Sequence, residues 1–209
     1  MKTRSLILFC LCFTTGFSQF KPDSIRLSEY YNQALLKQDS AEFFLKDAAD
    51  FFEKKRPSDR WLEANDYLKA RYFILSGKLD EAATLLKETI KRKPVYHPDL
   101  AKFYNLMGSV SALRKENDQA INWYKKTLHI LEKKNDSVQS AYIKSNIANI
   151  FFSTLDYKGA HPYLKEAFRI TSATNDTLYG PSIEGMLAVV LLKMNRKKEA
   201  FRHAENALK

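Results

Sequence analysis

The sequence predicts an all-α fold, an α-solenoid of stacked antiparallel helix pairs, and three observations predict it. Small residues recur in pairs twelve positions apart: Ala70 with Ala82, Gly108 with Ala120, Ala148 with Ala160, and Ala188 with Ala200. Successive pairs begin 38, 40 and then 40 positions apart, and self-similarity at a fixed period of about 20 to 50 residues marks an array of stacked units. Apolar residues fall at helical spacing, and no stretch alternates with period two for long enough to form a strand.

The segment from Met1 to Ser18 is set aside from the fold. Lys2 and Arg4 precede the apolar run Leu6 to Phe13, and a small-residue stretch ends at Gly16-Phe17-Ser18; this is the layout of a secretory signal cut between Ser18 and Gln19. The apolar run is about half the length of a membrane-spanning helix, which favours cleavage over a retained anchor. Both cysteines, Cys10 and Cys12, lie in this segment. An exported chain without cysteine must draw its stability from buried apolar surface. The expected compartment is therefore the periplasm, with a membrane tether if the natural chain is longer.

The formal charge is +10, two units of which reside on Lys2 and Arg4. Lys54-Lys55-Arg56, Lys91-Arg92-Lys93, Arg114-Lys115 and Lys133-Lys134 fall at expected helix ends, where cations complement the negative end of the helix dipole. That placement, with export, argues against nucleic acid as a partner. Arg196-Lys197-Lys198 instead opens a helix, which calls for a solvated turn or a small anionic contact.

Residues 19–57 hold two expected helices, one to about Gln38 and one from Ser40 to about Lys55, stopped by Pro57. They match the period poorly and read as a degenerate first repeat or an N-terminal cap. Residues 58–209 hold four repeats, at about 58–93, 98–134, 136–174 and 176–209. In the first, Gly77 suits the left-handed residue that ends a helix. In the second, Pro98 suits a first helical turn. Asn135-Asp136-Ser137 and Asn175-Asp176-Thr177 recur one period apart, placing a capping Asp where each later repeat begins. Large side chains such as Tyr72, Tyr104, Tyr124 and Phe168 fill the core around the small residues.

Gly108, Ala120, Tyr124 and the lead-in from Tyr104 to Met107 resemble the tetratricopeptide repeat, with a period lengthened beyond that family's usual value of about 34 residues. The resemblance covers about residues 58 to 209. Lengthened repeats behind a secretion signal are similar to the exported N-terminal sensor regions of bacterial signalling proteins. The resemblance implies a concave face lined by the first helix of each pair, with protein or peptide as the ligand. Carrying over the family's groove positions gives Tyr67, Arg71 and Ile74; then Lys102, Asn105, Ser109 and Ala112; then Tyr142, Ser145, Asn149 and Phe152. The other reading is a structural or dimerisation module with no groove ligand.

Nothing in the sequence points to catalysis, a metal or a cofactor. His97, His129, His161 and His203 share no repeat register, and HExxH, paired CxxC, GxSxG and phosphate-binding glycine loops are absent. Lys209 lies nine positions after Ala200, whereas earlier second helices run further. An array stopping there without a polar capping helix implies self-association or further chain at its uncapped end.

Overall fold

The computed structural model describes residues 29–33, 36, 41–54, 59–92 and 99–207. The expected signal segment and its cleavage point lie outside the described residues. The chain divides into two compact units, Met1–His97 and Pro98–Lys209.

In the first unit the described helices are α1 (Ala41–Lys54), α2 (Asp59–Leu75) and α3 (Leu79–Lys91), and residues 29–33 are also helical. Tyr31, Ala48 and Tyr72 form a buried cluster, with Leu45, Phe51 and Leu68 packed around it. The early helical residues thus bury aromatic surface against α2. Tyr31 donates its hydroxyl to Asn65 Oδ1 at 2.9 Å. Burial, and then the nearby Asp66 carboxylate, hold that hydroxyl well above its ordinary pKa, so it remains a donor. Asp66 accepts from Thr89 Oγ1 at 2.8 Å and from the Arg92 guanidinium. Arg92, expected to serve the helix dipole, is drawn instead to a buried carboxylate, which needs a paired partner.

In the second unit three pairs follow: α4 (Leu100–Leu113) with α5 (Asn117–Lys133), α6 (Ser137–Ser153) with α7 (Tyr157–Ala173), and α8 (Gly180–Lys193) with α9 (Lys197–Ala207). Each second helix packs on the first helix of the next pair, and α6 also touches α8. The described residues contain helices and no strand. The all-α solenoid of paired helices is the observed fold, and the helices of the second unit begin and end close to where the sequence marks them.

Every turn of this unit uses one device. Lys115, Asn135, Leu155, Asn175 and Asn195 all have positive φ, between 49° and 62°, and they recur at equal intervals along the chain, one to each turn. Each donates its N–H to the carbonyl three positions back, and the next residue donates to the carbonyl five back, as in Lys115 to Ala112 and Glu116 to Ser111. This is the Schellman closure, which satisfies carbonyls that the helix end leaves unpaired. Gly77 does the same in the first unit at φ 77°. Lys115 and Leu155 accept the left-handed conformation at a cost of roughly 1–2 kcal/mol. Asp136 and Asp156 then cap the following helices, accepting from Gln139 N at 3.1 Å and Gly159 N at 2.8 Å. Asp176 accepts from Tyr179 N at 2.6 Å and Gly180 N at 3.2 Å, so a turn precedes α8 and the helix starts later than the tripeptide alone suggests.

Between α4 and α5 a small residue on the first helix meets a large one 16 positions on. A Cβ at Gly108 would stand 2.5 Å from the Tyr124 ring. At the same register Ala148 has Leu164 and Ala70 has Leu86, all buried. Gly108 is a glycine because Tyr124 is large. Gly108→Ala is expected to cost about 1–3 kcal/mol through overpacking, which outweighs the gain of about 1 kcal/mol in helix propensity. With Tyr124→Leu already present, the same change is expected to stabilise. Equilibrium urea unfolding of the four chains checks this, and an unchanged sign in the two backgrounds would contradict it.

Candidate functional site

The expected inner-stripe positions lie on the first helix of each pair, and their exposure differs from one helix to the next. In the first unit Tyr67 and Ile74 are buried and Arg71 is half-buried, its guanidinium 5.7 Å from the Tyr67 ring centre. In the second unit α4 has no open face at its centre, since every residue from Phe103 to Ser111 is buried. Asn105 and Ser109 are 4% and 5% exposed. Ser109 donates its hydroxyl to the Asn105 carbonyl at 3.1 Å. Lys102 is half-buried, its ammonium 5.2 Å from the Phe103 ring centre.

On α6, Tyr142 lies 4.9 Å from Tyr179, at the start of the next first helix. Ser145 is buried and donates to the Tyr142 carbonyl at 2.7 Å. A hydroxyl returned to its own helix contributes no bond to a ligand. Asn149 and Phe152 are half-buried. The expected groove residues therefore divide in two. Tyr67, Ile74, Asn105, Ser109, Tyr142 and Ser145 sit in the packed interior, and Arg71, Lys102, Ala112, Asn149 and Phe152 keep partial access. Among the described residues, two buried acceptors, Asn105 Oδ1 and Gln139 Oε1, have no hydrogen-bond partner.

The stripe opens on α8. Val189 and Leu192 stand one full period after Asn149 and Phe152, and they are 43% and 49% exposed. Phe201 on α9, one period after His161, is 66% exposed. These three were not among the expected site residues. Adding one period to Asn149 and Phe152 would have found the first two.

The polar groups between the last two pairs tie them together. Arg196 donates to His161 Nε2 at 3.1 Å and makes a two-pronged ion pair with Glu199, at 2.7 and 2.6 Å. Arg196 of the basic tripeptide thus finds an anionic contact inside the chain, while Lys197 and Lys198 are exposed. His203 Nδ1 lies 3.0 Å from Glu184 Oε1 and packs edge-on against Phe168, 4.9 Å between ring centres. Among the described residues no group of three His, Cys, Asp or Glu is placed to hold a metal. No described helix is long and apolar enough to cross a membrane.

Known structures share this fold. BtubC from P. vanneervenii is 17% identical over 88% of this chain and 80% of its own, with a TM-score of 0.70. The Podosopora anserina kinesin light chain with nearly identical TPR-like repeats is 16% identical over 88% and 93%, with a TM-score of 0.63. A Rap protein complexed with competence and sporulation factor is 20% identical over 89% of this chain and 53% of its own, with a TM-score of 0.59. Neither a protein-family model nor a curated protein sequence matches the chain. The chain has the fold of the tetratricopeptide-like repeat proteins.

His161 generates a pH dependence. Its pKa is lowered from 6.5, first by burial and then by the Arg196 and Lys165 charges, which outweigh the opposing Glu199. The folded state thus disfavours the proton, so this contribution is complete above pH 6.5 and is lost as pH falls from 6.5 through the depressed folded value. His161→Gln, which keeps an acceptor for Arg196, is expected to lose less stability on acidification than the parent. Urea unfolding of both chains across that window checks it, and a pH-independent gap between them would contradict it.

Proposed function

We propose that the chain is an exported α-solenoid scaffold that binds a protein or peptide through its inner stripe, as a sensor or interaction region of a signalling protein. One observation carries the binding reading. The stripe that is packed shut on α4 continues, at the same register, onto α8 as the exposed apolar pair Val189 and Leu192. Partly open Asn149 and Phe152 stand beside it one repeat back. Apolar groups flanked by a side-chain amide suit a protein segment, whose side chains need apolar contact and whose main chain needs hydrogen bonds. The Rap protein's complex with competence and sporulation factor supports a bound partner as a use of this fold.

Peptides selected on the folded chain by phage display are expected to lose affinity by about tenfold or more when Val189→Asp and Leu192→Asp are combined. Both side chains are exposed, so the fold should survive the change. Selected peptides that bind the double variant undiminished would remove this stripe from the reading. Export rests on the layout of residues 1–18. N-terminal sequencing of secreted protein is expected to begin at Gln19, and an intact cytoplasmic chain would overturn that part.

A further inference from the structure

In the five turns of the second unit the residue after the left-handed position is Glu116, Asp136, Asp156, Asp176 and then Arg196. Four are acids and the last is a cation. The Arg196 carbonyl accepts from Ala200 N at 3.0 Å, as the Asp156 carbonyl accepts from Ala160 N at 3.0 Å, so the two backbones are placed alike. Their side chains are not interchangeable. Asp156 accepts from Gly159 N, whereas a guanidinium has no acceptor to offer and sits at the positive end of the helix dipole.

A second departure stands against the first. Ile121, His161 and Phe201 share one register, so a histidine takes a position that is otherwise apolar. Arg196 donates to its Nε2 at 3.1 Å. A residue that breaks the local rule of its repeat without serving its own helix marks a role beyond that helix. Here two such residues meet in one hydrogen bond, which joins α7 to the turn between α8 and α9.

That bond exists in one charge state only. Neutral His161 offers Nε2 as an acceptor, whereas the imidazolium has two donors, no acceptor and the same sign of charge as Arg196. After burial, the charges that act on His161 are Arg196 and Lys165 and, opposing them, Glu199; Lys144 on α6 and Glu184 and Lys193 on α8 are not among them. Glu199 is taken up by Arg196 in its two-pronged pair. Elsewhere at the junction His203 stands against Glu184 of α8 and packs on Phe168 of α7, a contact that keeps α9 docked without Arg196.

We propose that His161 and Arg196 form a proton-operated latch. With His161 neutral the turn between α8 and α9 is held on α7, and with His161 protonated the turn is released while the last helix pair stays packed. The device is local, goes beyond the change in overall stability, and is independent of what the inner stripe binds. Hydrogen exchange followed by mass spectrometry on the whole chain tests it between about pH 8 and about pH 5, the range in which histidine changes charge, with rates corrected for the intrinsic effect of pH. The peptic fragment spanning Asn195 and Arg196, whose N–H groups donate to the Leu192 and Leu191 carbonyls, is expected to lose protection as pH falls. The fragment spanning the matching turn at Leu155 and Asp156 is expected to keep its own. His161→Gln, which keeps an acceptor and takes no charge, is expected to hold the turn throughout. Arg196→Asp is expected to reverse the sign of the response, because a carboxylate there gains a partner when His161 is protonated. An unchanging turn in the parent, the same loss in His161→Gln, a loss shared equally by the Leu155 turn, or an Arg196→Asp chain that responds as the parent does would each overturn the proposal.

Discussion

The structure of the second unit depends on one turn repeated at equal intervals along the chain. Lys115, Asn135, Leu155, Asn175 and Asn195 each hold the left-handed conformation that closes a helix and turns the chain back. Because the turns are evenly spaced, equivalent side chains recur once per helix pair and meet equivalent surroundings. The small-to-large contact of Gly108 with Tyr124 works only because the turn at Lys115 brings the two helices together in that register. The capping by Asp136 and Asp156 follows from the same geometry, since the residue after each left-handed position sits where the first N–H groups of the next helix need an acceptor.

Equal spacing also sets the unequal exposure of the inner stripe in relief. Ser109, Asn149 and Val189 occupy one register position, yet the first is buried, the second half-buried and the third exposed. Their chemistry runs the same way, from a hydroxyl bonded to its own helix, to an amide, to an apolar side chain. An exposed apolar group at a position that is otherwise interior is where a partner gains most by burying surface. The opposite trend would have argued for a solvated face.

Over the described helices the all-α fold could be read from the residues. The small pairs, the Gly77 turn and the Asp caps each state a local requirement that one helix or one turn imposes. Less of the site was readable. Asn105, Ser109 and Ser145 look like groove residues because they are polar and at groove positions, but they are buried, and Ser109 stands 3.4 Å from the Tyr124 hydroxyl of the paired helix, a contact that polarity and position do not disclose. Leu155 carries no compositional sign of its left-handed backbone; the recurring turn imposes it. The link from Arg196 to His161 joins side chains far apart in the chain, and the clustered charges alone do not disclose it. Val189 and Leu192 were accessible to the period itself, once it was extended by one further step.

The central claim is that the inner stripe is closed on α4 and open on α8. It is tested most directly by NMR on the methyl-labelled chain with a soluble nitroxide added. The account predicts that the methyls of Val189 and Leu192 broaden strongly while those of Leu106 and Val110 do not. Protected Val189 and Leu192 methyls, or α4 methyls broadened to the same degree, would contradict it.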